Sequence, residues 1–342
     1  MQPSSTSSSE KGGRGLDRIL LRGVLFLAGG ILLLIPLCRI SLRADRSALL
    51  SSVFRMSRDT TVVAAGDSHT ETSICPDLLR GVVNISRSAE SYFYTYYKLK
   101  HFLALNPQVK TVLLGYSPHN LANHDVQFRT DQLNQWKEYF ILLDPPARRQ
   151  VASFRLPYLV AFLQAEYGAP FRLVQNPILM KYLFRKPLNR MDFPFNGDYK
   201  PLTGSFVDHD KVDQRVAEHF LAREQYLGTS AFQARYLERI AELCSEKGIR
   251  LVLVSTPVTA GYFRGIPRQA RADADQVASR VLKRFPTFRF CNLEALPVPT
   301  EGFYDPNHVN RIGARIVSER LLALHPDLFP EMRKTPGMDG GS

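Results

Sequence analysis

The chain has 342 residues, a formal net charge of +12, 44% hydrophobic residues and 22% charged residues. That mix excludes a largely disordered protein, and the length admits two domains or one large α/β domain with an insertion. No Lys/Arg block is interleaved with aromatics, so no nucleic-acid partner is expected; a basic surface facing anionic lipid or an anionic polymer is compatible with the charge.

Residues 1–15 are polar and rich in Ser and Gly, and read as a mobile tail. Residues 16–40 then carry 16 uncharged positions between Arg22 and Arg39. As a helix that run spans ~24 Å, short of the ~30 Å hydrocarbon core. Ile19–Leu21 extend it, and Arg22 can snorkel to the headgroups. The segment is read as a single transmembrane anchor held in a lipid bilayer. A cleaved signal peptide is the rival reading, although no small-x-small site follows Leu37. Basic residues flank the run on both sides, so the positive-inside count does not orient it.

From Asp59 the pattern changes. TTVVAAGDS (60–68), GVVNIS (81–86), KTVLLGYS (110–117), IRLVLVSTP (249–257) and the weaker TFRFCNL (287–293) are β-type runs. Continuous rather than alternating apolarity predicts strands buried on both faces. Helical periodicity covers 91–105, 229–247, 267–285 and 310–324. The aromatic run Ser91–Tyr97 sits at helical spacing and reads as core. Strand–helix alternation implies a three-layer α/β/α architecture around a parallel sheet. Residues 59–120 and 229–328 would form that domain, residues 121–228 a largely helical insertion or lid, and 329–342 a flexible tail. Cys38, Cys75, Cys244 and Cys291 form no C-x-x-C, and no Cys/His cluster has metal-ligand spacing, so neither a disulfide framework nor a structural metal is expected.

Two short segments can carry chemistry. Gly66-Asp67-Ser68-His69 ends the first core strand, where open parallel sheets bind ligands. A serine there can start the next helix, whose backbone N–H groups favour an oxyanion; the plainer role is a capped turn. Asp305-Pro306-Asn307-His308 precedes the last helix. Serine needs a general base within reach and a group that orients that base; Asp305 and His308, three apart, can supply both. His69 and Arg87 flank the same region as possible substrate contacts or as packing and solvated groups.

The chain order Ser68…Asp305…His308, with Asp and His three apart, resembles the SGNH (GDSL-like) hydrolase superfamily over roughly residues 59–120 and 245–325. The resemblance implies a flavodoxin-like sheet, Ser68 as nucleophile, His308 as base, Asp305 as its orienting partner, and acyl-ester chemistry without metal or other cofactor. It places Ser86, where the family usually has Gly, and the backbone of Ser68 in the oxyanion hole. The family's Gly-x-Asn-Asp block appears as Gly115-Tyr116-Ser117-Pro118-His119-Asn120, with Asn120 as the candidate side-chain donor and Ser117 and His119 as possible substrate contacts. With an N-terminal anchor, the chain is similar to membrane-anchored members of bacterial cell envelopes that serve D-alanyl transfer and exopolysaccharide O-acetylation. That similarity implies a large domain on the extracytoplasmic, periplasmic side, an acyl-bearing glycan or polymer as substrate, and a membrane-bound O-acyltransferase as a partner. Two readings stay open: an enzyme working through an acyl-serine, and a catalytically weak SGNH-fold partner of a membrane acyltransferase or polysaccharide assembly complex.

Overall fold

The structure, a computed structural model, describes residues 21–26, 29, 50–123, 139–152, 197–208 and 211–329. The expected tails 1–15 and 330–342, most of the 16–40 anchor and much of the insertion lie outside the described residues. The chain divides into two compact units, Met1–Leu49 with Arg149–Leu188, and Leu50–Arg148 with Asn189–Ser342. In the first, residues 21–26 are helical, with Leu21, Val24, Leu25 and Phe26 exposed. Among the described residues no helix is long and apolar enough to cross a membrane.

The second unit holds a five-stranded sheet: β1 (Val62–Ala65), β2 (Val82–Asn84), β3 (Thr111–Gly115), β4 (Arg250–Ser255) and β5 (Arg289–Asn292). The order is 2-1-3-4-5 and every pairing is parallel. This is the order of flavodoxin-like doubly wound sheets. The helices in chain order are α1 (Ser68–Ser73), α2 (Tyr92–Leu105), α3 (Pro118–Leu121), α4 (Pro145–Ala152), α5 (Val212–Phe220), α6 (Ala231–Glu246), α7 (Ala260–Gly265), α8 (Arg268–Arg284) and α9 (Arg311–Leu324).

Alternate strand residues point to opposite faces, and both faces are buried. Val62, Ala64, Leu113, Val252, Val254 and Cys291 pack with Val317 and Leu321 of α9. Their neighbours Val63, Ala65, Val112, Leu114, Leu251 and Leu253 are equally buried on the other face. There α6 packs on β4 and on α2, and α8 packs on β5. The continuous apolar runs therefore make a middle layer between two helical ones. Tyr92, Phe93, Tyr94 and Tyr97 of α2 are all buried, so the aromatic stripe is core. Phe329, expected to open a flexible tail, is instead fully buried in the cluster under α9.

The described part of 121–228 contains α4, α5 and a short hairpin, Leu221–Ala222 with Gln225–Tyr226. Val212, Val216 and Phe220 of α5 pack on Tyr262 and Ile266, bringing this return leg against α7. The segment around Gly197 crosses the end of β2 so closely that a Cβ at 197 would meet the Ser86 carbonyl oxygen.

Behind the β2 end lies a buried polar knot. Lys98 pairs with Glu90, and both side chains are 0% exposed. Tyr139 Oη also donates to Glu90, as does Thr95 Oγ1 at 2.8 Å. The Lys98 ammonium further donates to the Ile85 carbonyl, tying α2 to the loop that follows β2. Removing one partner of a buried pair strands the other charge, which costs about 3–5 kcal/mol. Lys98→Met is accordingly expected to lower the urea midpoint by an amount equivalent to that range. A change below about 1 kcal/mol would show that the neighbouring hydroxyls suffice to hold Glu90.

Candidate active site

Parallel strands bring their carboxyl ends to one edge of the sheet, and the chemistry-bearing loops gather there. The turn after β1 is made by Gly66 (φ +150), a region that disfavours a side chain. A Cβ at Gly66 would lie 2.7 Å from Thr70 Oγ1, and one at Gly115 would lie 1.9 Å from the same atom. Two glycines thus let the ends of β1 and β3 close on α1, and the loops carrying Asp67 and Asn120 meet.

Asp67 caps α1, its Oδ1 accepting from the His69 N–H at 3.0 Å. Ser68 is the first helical residue. Across the site, Asp305 Oδ1 accepts from the backbone N–H groups of Asn307 (3.0 Å) and His308 (2.8 Å), closing a tight turn. The Pro306 carbonyl accepts from the N–H and hydroxyl of Thr259, which pins that turn to the loop after β4.

His308 Nδ1 lies 2.9 Å from Asp305 Oδ2 and His308 Nε2 lies 2.8 Å from Ser68 Oγ. Burial raises the Asp305 carboxyl, but its bonds from the His308 side chain and from two backbone N–H groups hold it below the usual range. An ionised Asp305 only accepts, so Nδ1 carries the proton and Nε2 is free to take one from Ser68. Residues 240 positions apart in sequence thus form a continuous serine–imidazole–carboxylate chain.

The remaining expected site residues fall differently. Ser86 is fully buried, and its backbone N–H donates to Asn84 Oδ1 at 2.9 Å. Asn84 hooks back under α1, donating to the Thr70 and Ile74 carbonyls. The Ser86 N–H, expected from the family pattern in the oxyanion hole, is here engaged by Asn84. His69 is buried rather than facing substrate. Its Nε2 accepts from Asn307 Nδ2 at 3.0 Å, and burial, with the neighbouring His119, pushes its pKa well down. Arg87 lies over the Tyr139 ring at 5.7 Å. His119 has both ring nitrogens engaged, Nε2 with Asp67 (2.6 Å) and Nδ1 with Ser117 Oγ (2.8 Å). Neither His119 nor Ser117 is therefore placed as a substrate contact. Asn120 Nδ2 donates to Asp67 Oδ2 at 2.7 Å, with one amide proton left over.

Sequence reasoning saw Asp67 only as a helix cap. In the structure it is the hub of the loop that carries Ser68. Burial raises its carboxyl, but the charge and hydrogen bond of His119, with His69 and Asn120, outweigh that and bring it far below the ordinary range. Glu294, after β5, is pushed up to about 6 by burial, against the opposing pull of His119. His219 of α5 stacks on His119 at 5.3 Å between ring centroids, and its Nδ1 bonds the Tyr262 hydroxyl. Its arrival from a distant insertion had no sequence signal. Among the described residues no group of three or more His, Cys, Asp or Glu is arranged to hold a metal ion. Cys75, Cys244 and Cys291 are buried and unpaired.

No family model and no curated protein matches this chain. Among solved structures it is similar to a GDSL-like lipase from Bacteroides thetaiotaomicron, with 12% identity and a TM-score of 0.37, covering 85% of this chain and 96% of that one.

Proposed function

We propose that the chain is a membrane-anchored serine esterase or O-acyltransferase, acting on an acyl ester of a cell-envelope glycan or polymer. The observation that carries this reading is the Ser68–His308–Asp305 chain, with both links within hydrogen-bond distance. Ser68 Oγ attacks the ester carbonyl while its proton passes to His308 Nε2. The oxyanion forms against the Ser68 backbone N–H and the uncommitted amide proton of Asn120. Collapse expels the alcohol, which takes the proton from His308, and leaves an acyl-serine. A glycan hydroxyl or water then loses its proton to His308 and attacks the acyl carbonyl, regenerating Ser68.

The exposed apolar positions 21, 24, 25 and 26 and the uncharged run around them support an anchor; the extracytoplasmic placement of the catalytic unit follows from the similarity to anchored envelope members. Washing membranes with high salt is expected to leave the protein bound; quantitative release would remove the anchor from the proposal. Incubation with an activated acetyl ester is expected to place one acetyl group on the protein, read by mass spectrometry. Clearance by a glycan acceptor but scarcely by water identifies a transferase, and fast clearance by water an esterase. One observation favours a second reading. The engaged Ser86 amide leaves a sparse oxyanion hole, which suits a catalytically weak partner of a membrane-bound O-acyltransferase. A wild type that forms no adduct would decide for that partner.

A further inference from the structure

Beside the nucleophile, four side chains close into one hydrogen-bonded ring. Asp67 Oδ2 accepts from His119 Nε2 (2.6 Å) and from Asn120 Nδ2 (2.7 Å). Ser117 Oγ lies 2.8 Å from His119 Nδ1 and 3.1 Å from Asn120 Oδ1, its single proton going to one of the two. The Ser117 backbone N–H donates to the same Oδ1 at 2.9 Å. The chemistry of the partners fixes the Asn120 amide. A backbone N–H can only donate, so the atom facing it is oxygen; a carboxylate can only accept, so the atom facing it is nitrogen. His119 Nε2 is 3.4 Å from Asn120 Nδ2, but it is itself a donor to Asp67 and accepts nothing from the amide. The second Nδ2 proton is left to a ligand.

His119 closes this ring between Asp67 and Ser117. Its imidazole is held between the rings of His69 (4.2 Å between centroids) and His219 (5.3 Å). It touches Asp67 and Ser117 and leaves no nitrogen for substrate. We propose that His119 is a positioning residue for acyl transfer: through Asp67 and Ser117 it locks the Asn120 amide in the orientation that presents a proton to the oxyanion. The role rests on the acyl-serine reading and extends it, because it assigns His119 and Ser117 to building the oxyanion hole. Without His119, the buried Asp67 carboxylate and the Ser117 hydroxyl each lose a partner, and the two groups that hold the Asn120 amide are themselves less firmly fixed.

The test is a pair of double-mutant cycles on the full-length protein, with kcat and KM measured on an activated acetyl ester. Asn120→Ala is expected to lower kcat by about 10²–10³-fold. His119→Ala is expected to lower kcat by about a hundredfold with KM little changed, the scale of a misplaced catalytic group. In the Asn120→Ala background the same change is expected to cost no more than about twofold, because its effect runs through Asn120. His119→Gln, whose amide can still donate to Asp67, is expected to recover part of the loss. Ser117→Ala breaks the ring from the other side and repeats the cycle if His119→Ala does not fold. Multiplicative losses in either cycle, or an unchanged kcat in His119→Ala, would overturn the assignment. A wild type that labels on Ser68 while the cycles prove multiplicative refutes only this role; a wild type that never labels refutes the acyl-serine reading and this role with it.

Discussion

Ser68→Ala is expected to abolish the acyl adduct and to lower turnover of an activated ester by roughly 10⁶-fold, the scale seen when a nucleophilic serine is removed. In the proposed reaction the hydroxyl oxygen forms the bond to the acyl group, and no other side chain stands 2.8 Å from His308 Nε2 among the described contacts. The fold has little reason to respond. The Ser68 carbonyl, which accepts from Thr72 Oγ1 at 2.9 Å, survives the change, and Asp67 still caps α1. Stability is expected to stay within about 0.5–1 kcal/mol of wild type, so lost labelling is not a folding effect. An undiminished adduct in the variant would mean another nucleophile and would end the case for Ser68.

The parts legible from sequence are those set by local pattern. The runs around Val62, Thr111 and Arg250 are apolar without alternation because helices cover both faces of their strands, and burial writes that directly into composition. Gly66-Asp67-Ser68 and Asp305-x-x-His308 were visible for a similar reason: each is a short turn whose geometry is made by adjacent residues. What was hidden depends on contacts between distant segments. Ser86 looked like a free amide until Asn84 folded back under α1 and took its N–H. His308 reads as the base in the sequence, and His69 and His119 as possible substrate contacts. Tertiary packing separates them, burying His69 against Asn307, tying His119 into the ring on Asp67, and leaving His308 with the one nitrogen aimed at Ser68.

Asp305→Asn should be strongly damaging although the base itself remains, and the turn explains why. Asp305 Oδ1 accepts from two backbone N–H groups, those of Asn307 and His308. In the amide variant the oxygen must stay there, because an NH₂ would face two donors. The NH₂ then takes the place of Oδ2, 2.9 Å from His308 Nδ1. Nδ1 also lies 3.0 Å from the oxygen that stays, but that oxygen already accepts from two backbone N–H groups; the closer contact now faces a donor, so Nδ1 gives up its proton and becomes the acceptor. The proton moves to Nε2, the nitrogen that must receive the Ser68 proton. The imidazole is present and well placed but in the wrong tautomer. A loss of about 10⁴-fold in kcat is expected, with the fold retained. Steady-state kinetics give the rate, and ¹⁵N NMR of the imidazole reports which nitrogen is protonated. A loss below about tenfold, or an Nδ1-protonated His308 in the variant, would show that Asp305 does not set the tautomer.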